Sequence, residues 1–172
     1  MKIKFGTIWV KIFLKLTSLF MLYFLSACAW DKEENFIEEA DLQKNIKIDE
    51  VVALRKFLKT ERGTLCVLFP YQEDVVNSKP YSDRINNYLK KINYVADEGH
   101  WAFVFVNDEI VKISKIKRSE KLDIMGIREI NSIQGKKLPV NFLPTNCVSV
   151  DKGLLWKIKI NERVFLILGE SK

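Results

Sequence analysis

The chain has 172 residues, 48% of them hydrophobic and 29% charged, with a formal net charge of +6. Four lysines (Lys2, Lys4, Lys11 and Lys15) crowd the first fifteen residues with no acid among them. Without residues 1–27 the balance is 24 basic residues against 22 acidic, or +2, which excludes a polybasic nucleic-acid binder, and no nucleic-acid partner is expected.

Residues 16–27 (LTSLFMLYFLSA) are apolar and run up to Cys28. A basic stretch, a short apolar run and small residues before a cut are the layout of a secretory signal. The run is shorter than the roughly 18–20 residues that cross a bilayer comfortably. A retained span would need Lys11 and Lys15 to snorkel to the interface. Its end, Leu25-Ser26-Ala27-Cys28, resembles the lipobox of bacterial lipoproteins: an apolar residue, two small ones, then an obligatory cysteine. That resemblance implies a signal peptide over residues 1–27 and Cys28 as the mature N-terminus. The Cys28 thiol would carry diacylglyceryl, and the new amine an acyl chain such as palmitate. Two or three chains anchor a protein stably, at ~0.8 kcal/mol per buried methylene. By the same resemblance, Ala29 in place of aspartate favours the periplasmic face of the outer membrane over the inner membrane. Trp30 would then rest at the lipid interface.

Residues 29–50 hold eight acids and three lysines, net −5, whereas residues 51–172 carry +7. So acidic a stretch with few apolar residues is expected to be solvated. Residues 28–50 therefore read as a tether, and residues 51–172 as one globular domain.

Within that domain, residues 51–59 (VVALRKFLK) fit either a short helix or a β-branched first strand. Residues 64–69 (TLCVLF) predict a strand ended by Pro70. Residues 82–95 (SDRINNYLKKINYV) place Ile85, Tyr88, Leu89 and Ile92 at helical spacing behind Ser82 as N-cap, but stay open between helix and strand. Residues 101–106 (WAFVFV) are apolar on both faces. With 110–116 (IVKISKI) they make a hairpin across Asn107-Asp108-Glu109. In residues 154–160 (LLWKIKI), Leu154, Trp156, Ile158 and Ile160 face one way, Lys157 and Lys159 the other. Asn161-Glu162 turns the chain back into residues 164–168 (VFLIL), a second hairpin. The sum is a mainly β fold, a small antiparallel β-sandwich with one short helix; α+β is the alternative.

With Cys28 assigned to lipid, an oxidising compartment leaves Cys66 and Cys147 as the one intramolecular pair. They stand 81 positions apart. Their bridge is expected to staple the two layers of the sandwich.

No metalloprotease, nucleophile-elbow or phosphate-loop motif occurs. His100, the one histidine, has no recognisable nucleophile beside it and reads as a strand-edge polar residue. The carboxylate pairs Glu73-Asp74 and Asp97-Glu98 lie in loops without calcium-loop spacing. Trp101 and Trp156 are expected in the core. Lys112, Lys115, Lys117, Arg118 and Lys121 form a basic cluster, expected as a strand edge protected by lysines. No catalytic residue, metal ligand or cofactor is expected, so the chain is read as no enzyme. It is read as a binding module with the lipid bilayer and a protein as partners.

The plan is also similar to that of periplasmic lipoproteins regarded as immunity proteins of type VI secretion systems. In those, a lipobox signal and short tether precede a β domain with a strand cysteine after a glycine turn. A second cysteine follows a Leu-Pro segment before a C-terminal hairpin. The counterparts are Gly63-Thr64-Leu65-Cys66, then Leu143-Pro144-Thr145-Asn146-Cys147, then residues 154–168. The resemblance implies neutralisation of an incoming toxin and names no binding residues. The alternative expectation is a structural or accessory lipoprotein of an envelope or secretion assembly, with an unrecognised enzyme or ligand-binding lipoprotein third.

Overall fold

The computed structural model describes residues 35–58, 60, 62–76, 80–130 and 137–172. The proposed signal and Cys28 lie outside them. Nine strands are described: β1 (Val51–Ala53), β2 (Thr64–Leu68), β3 (His100–Val106), β4 (Val111–Lys117), β5 (Asp123–Ile124), β6 (Phe142–Pro144), β7 (Cys147–Ser149), β8 (Gly153–Ile160) and β9 (Arg163–Ser171). They form two sheets, the mainly β sandwich expected. In the first, β1, β8 and β9 are neighbours in that order, and β5 and β6 share the far side of β9. The second runs β4-β3-β2-β7. All pairings are antiparallel except β5 with β9.

The doubly apolar run of β3 is explained by cover on both faces. Trp101, Phe103 and Phe105 point into the inter-sheet core with Leu65 and Val67 of β2 and Leu155, Leu166 and Leu168 of the first sheet. Ala102, Val104 and Val106 point outward with Cys66 and Leu68, and are covered by Ile85 and Leu89 of helix α2 (Ser82–Lys91). Trp156 lies with Ile158, Ile167 and Phe142 in a third cluster on the first sheet. Both tryptophans are core residues, as expected.

Two ambiguous segments resolve locally. Of residues 51–59, the described part, 51–58, holds β1 and one 3-10 turn, Leu54–Lys56. Residues 82–95 form a helix only to Lys91, because Asn93 turns left-handed at φ 49°. The Asn93 N–H then donates to the Lys90 carbonyl and the Tyr94 N–H to that of Leu89, a Schellman closure. Ser82 is not the cap: Tyr81 holds that position, with no side-chain hydrogen bond. Two further helices, α1 (Glu39–Asn45) and α3 (Ile127–Ile130), were not expected.

The disulfide joins Cys66 and Cys147, which are direct cross-strand partners on β2 and β7. It therefore links two strands of one sheet and does not staple the layers. The layers are joined just before it by the chain itself, which leaves β6 in the first sheet and enters β7 in the second. At the crossing the Thr145 N–H donates to the Leu168 carbonyl, and the Asn146 carbonyl accepts from the Val67 N–H.

The tether expectation needs correction from residue 35 onward. Ile37, Leu42 and Ile46 are buried in the inter-sheet core, and the compact unit runs Asn35–Lys172. The Ile37 N–H donates to the Ser114 hydroxyl of β4, 3.1 Å away. The other end is held by Lys157, which faces inward from β8 and is only 5% exposed. Its Nζ donates to the carbonyls of Leu42 (3.3 Å), Gln43 (2.7 Å) and Ile46 (2.9 Å). These are orphan acceptors at the end of α1, where a cation is favoured. Residues 35–50 thus strap one sheet to the other.

Gly63 precedes β2 at φ +135°, and a Cβ there would lie 2.5 Å from the Phe105 ring and 2.7 Å from the Val106 carbonyl oxygen. Gly63→Ala is expected to cost about 2 kcal/mol from backbone strain and overpacking. Urea denaturation should show a lower midpoint at unchanged slope.

Candidate functional site

Leu68 at the end of β2 pairs with Ala102 near the start of β3, so the loop leaving β2 and the loop entering β3 share one end of the second sheet. Phe69-Pro70-Tyr71-Gln72 closes a turn in which the Gln72 N–H donates to the Phe69 carbonyl at 3.1 Å. Proline at the second position and a positive φ at the third define the type II kind, which favours glycine or asparagine at the third. This chain places Tyr71 there, at φ 65°. The Gln72 side chain braces the turn by accepting from the Phe69 N–H at 3.0 Å. The result is an aromatic side chain held in a costly backbone conformation yet 68% exposed.

The neighbouring loop meets it. The Glu98 carboxylate stands near the Tyr71 phenol; partial desolvation and this carboxylate push the phenol pKa above its ordinary value. His100 Nδ1 lies 2.7 Å from Asp97 Oδ1, with both side chains substantially exposed. That contact holds the Asp97 carboxyl below its ordinary range. Val95 in the same loop is 64% exposed. Of the two carboxylate pairs noted in the sequence, Asp97-Glu98 therefore lies near Tyr71. His100 is engaged as a side-chain partner of Asp97 at the strand start. Among the described residues, no group of three or more His, Cys, Asp and Glu side chains is placed to hold a metal ion. No described helix is long and apolar enough to cross a membrane.

The basic cluster is not one patch. Alternation along β4 puts Lys112 on the face shared with Ser114 and Ile116, and Lys115 and Lys117 on the opposite face. Lys115 stands over the Tyr94 ring, 5.0 Å from its centroid. Arg118 is turned into the fold: its Nε and Nη2 donate to the Asp123 carboxylate at 2.9 and 3.0 Å. Asp123 is 1% exposed at its side chain, and Arg163 lies 3.5 Å from its second oxygen. The Arg118–Asp123 pair is architectural, a bidentate bridge between the end of β4 and β5.

Tyr71 is the residue that sequence reading missed. Pro70 marked the end of a strand, but nothing in a Pro-Tyr pair reveals a left-handed tyrosine. The chain matches no protein-family model, no curated protein and no solved structure.

Proposed function

We propose that this protein is a lipid-anchored binding module of the bacterial envelope whose partner is a protein, and that it neutralises a type VI secretion toxin in the periplasm. Anchoring rests on Leu25-Ser26-Ala27-Cys28, and export is consistent with pairing of the other two cysteines. The observation that carries the binding reading is Tyr71. Strained backbone at an exposed aromatic persists when function selects it, and tyrosine is enriched among interface residues that dominate affinity. In this reading the domain acts by occlusion and performs no catalysis, and Tyr71 is the central anchor with Glu98 beside it.

The test is competition. A strain deleted for this gene and attacked by its parent is expected to lose viability when the neighbouring effector is active. The wild-type gene should restore survival. Normal survival of the deletion strain, with no second immunity gene present, would contradict the toxin reading and leave an accessory envelope role in its place.

Tyr71 separates binding from folding. Tyr71→Gly removes the left-handed strain and is expected to stabilise the domain by about 1 kcal/mol. The same change should weaken partner binding by about 2 kcal/mol, roughly thirtyfold. Thermal melting and a titration with the purified partner check the two arms. A variant that melts lower and binds equally well contradicts this assignment.

A further inference from the structure

Large apolar side chains exposed singly are ordinary on a folded surface; a contiguous group is not. Among the described residues, Leu138, Val140 and Leu143 bring three exposed large hydrophobics into one six-residue stretch, 42%, 90% and 46% exposed. Val140 is the most exposed large hydrophobic described. The stretch is built rigidly. The Phe142 N–H closes a turn onto the Pro139 carbonyl at 3.2 Å, with Val140 at its tip and Asn141 left-handed at φ 62°. Phe142 is 1% exposed in the third cluster, and the Lys172 N–H donates to the Asn141 carbonyl at 3.2 Å. Lys137 is exposed at the start of the stretch and Lys172 is exposed beside Asn141 at the turn, while Glu170 stands opposite Leu143 at the far end.

We infer that this turn is a membrane-contact tip, its apolar side chains entering the headgroup region of an anionic bilayer with Lys137 and Lys172 against the lipid phosphates. The inference rests on the lipoprotein reading and adds a contact that the lipobox does not imply. Chain length argues for lipid as the occupant. The packed domain begins at Asn35, seven positions after Cys28. Even fully extended, those positions span at most about 25 Å. A domain of 138 residues is roughly 35 Å across. The anchor is thus shorter than the domain is wide, so the domain lies beside the bilayer, where an apolar tip flanked by lysines is favoured. Helix α2 lies over the second sheet, whereas Phe142 packs on the outward face of the first, so α2 belongs to the opposite layer.

The experiment uses the full chain, isolated with its native processing and reconstituted in phosphatidylethanolamine–phosphatidylglycerol vesicles. An environment-sensitive fluorophore is attached at Val140→Cys or, as the control, at exposed Lys90→Cys on α2. Flotation of the unlabelled protein is measured first. The expected result is flotation, blue-shifted emission at position 140 and its quenching by brominated lipids about 5–10 Å below the headgroups, with neither change at position 90. Flotation with a solvent-exposed probe at 140 overturns the tip and leaves the anchor standing. A blue shift without lipid quenching means that protein covers the tip, and also overturns it. Failure to float overturns the lipoprotein reading and the tip together.

Discussion

Replacing Cys66 and Cys147 together by alanine is expected to lower stability by about 4–5 kcal/mol and the melting temperature by roughly 15 °C. The bridge closes a loop of 81 positions, so in the chain-entropy account it removes much freedom from the unfolded chain. The native side of the ledger adds to this. Cys66 is fully buried beneath α2, in the cluster that holds Leu68, Ile85 and Leu89, so alanine also trims a packed interior. The site fixes β7, a three-residue strand, immediately after the chain crosses between sheets. Hydrogen exchange should therefore rise first in β6 and β7, before β3 and β4. A double variant melting within a few degrees of the native protein would contradict the assignment of the bridge as a main support.

The second large effect is expected at Lys157. Lys157→Met keeps the length of the side chain and removes the ammonium, stranding three carbonyls at the end of α1. Hydrogen bonds from a charged donor are worth about 1.5–3 kcal/mol each, partly offset here by release of a buried charge; a net loss of about 3 kcal/mol is expected. Its pH dependence has a definite sign. Burial lowers the Lys157 pKa from its ordinary 10.5. Across the window between the lowered folded value and 10.5, the unfolded chain holds more protons than the folded one. Stability contributed by Lys157 therefore rises with pH there, and the variant's deficit widens toward 10.5. Paired urea melts across the alkaline range measure it. The variant should also exchange amide hydrogens faster over residues 36–50, while the helix-covered face of the second sheet stays protected.

Strands and hairpins were legible because their signals are local. The alternation of Leu154, Trp156, Ile158 and Ile160, and the unbroken run of β3, record which faces are covered. The strap was not legible, because only Leu42 and Ile46 stand at helical spacing, a single pair, and Ile37 is parted from them by Glu38, Glu39 and Asp41. Their burial is decided by a groove between sheets far along the chain. Lys157 was read correctly as opposite to the apolar stripe. Its inward direction, however, depends on a cluster of carbonyls supplied by residues 42–46. At the candidate site, His100, Asp97 and Glu98 were visible as residue types, but the exposed aromatic near them, Tyr71, depends on a backbone angle. The basic cluster was read as a lysine-protected strand edge, and β4 is the edge strand of its sheet, although alternation divides its lysines between two faces and Asp123 draws Arg118 inward.

These features bear on one another in the anchored reading. A strap held at both ends passes no slack to the chain that would lead to lipid, so the surface around Tyr71 is presented by a domain with little freedom to drift from the bilayer. Such confinement raises the effective concentration of the module for anything arriving at the same membrane.

The most direct measurement is the mass of the mature chain. Purified from bacterial membranes and alkylated before and after reduction, the protein is predicted to begin at Cys28. It should carry a thioether-linked diacylglyceryl group and an acylated amine, with Cys66 and Cys147 protected until reduction. A chain retaining residues 1–27, or one whose Cys28 thiol is free to alkylate, would contradict the anchored account.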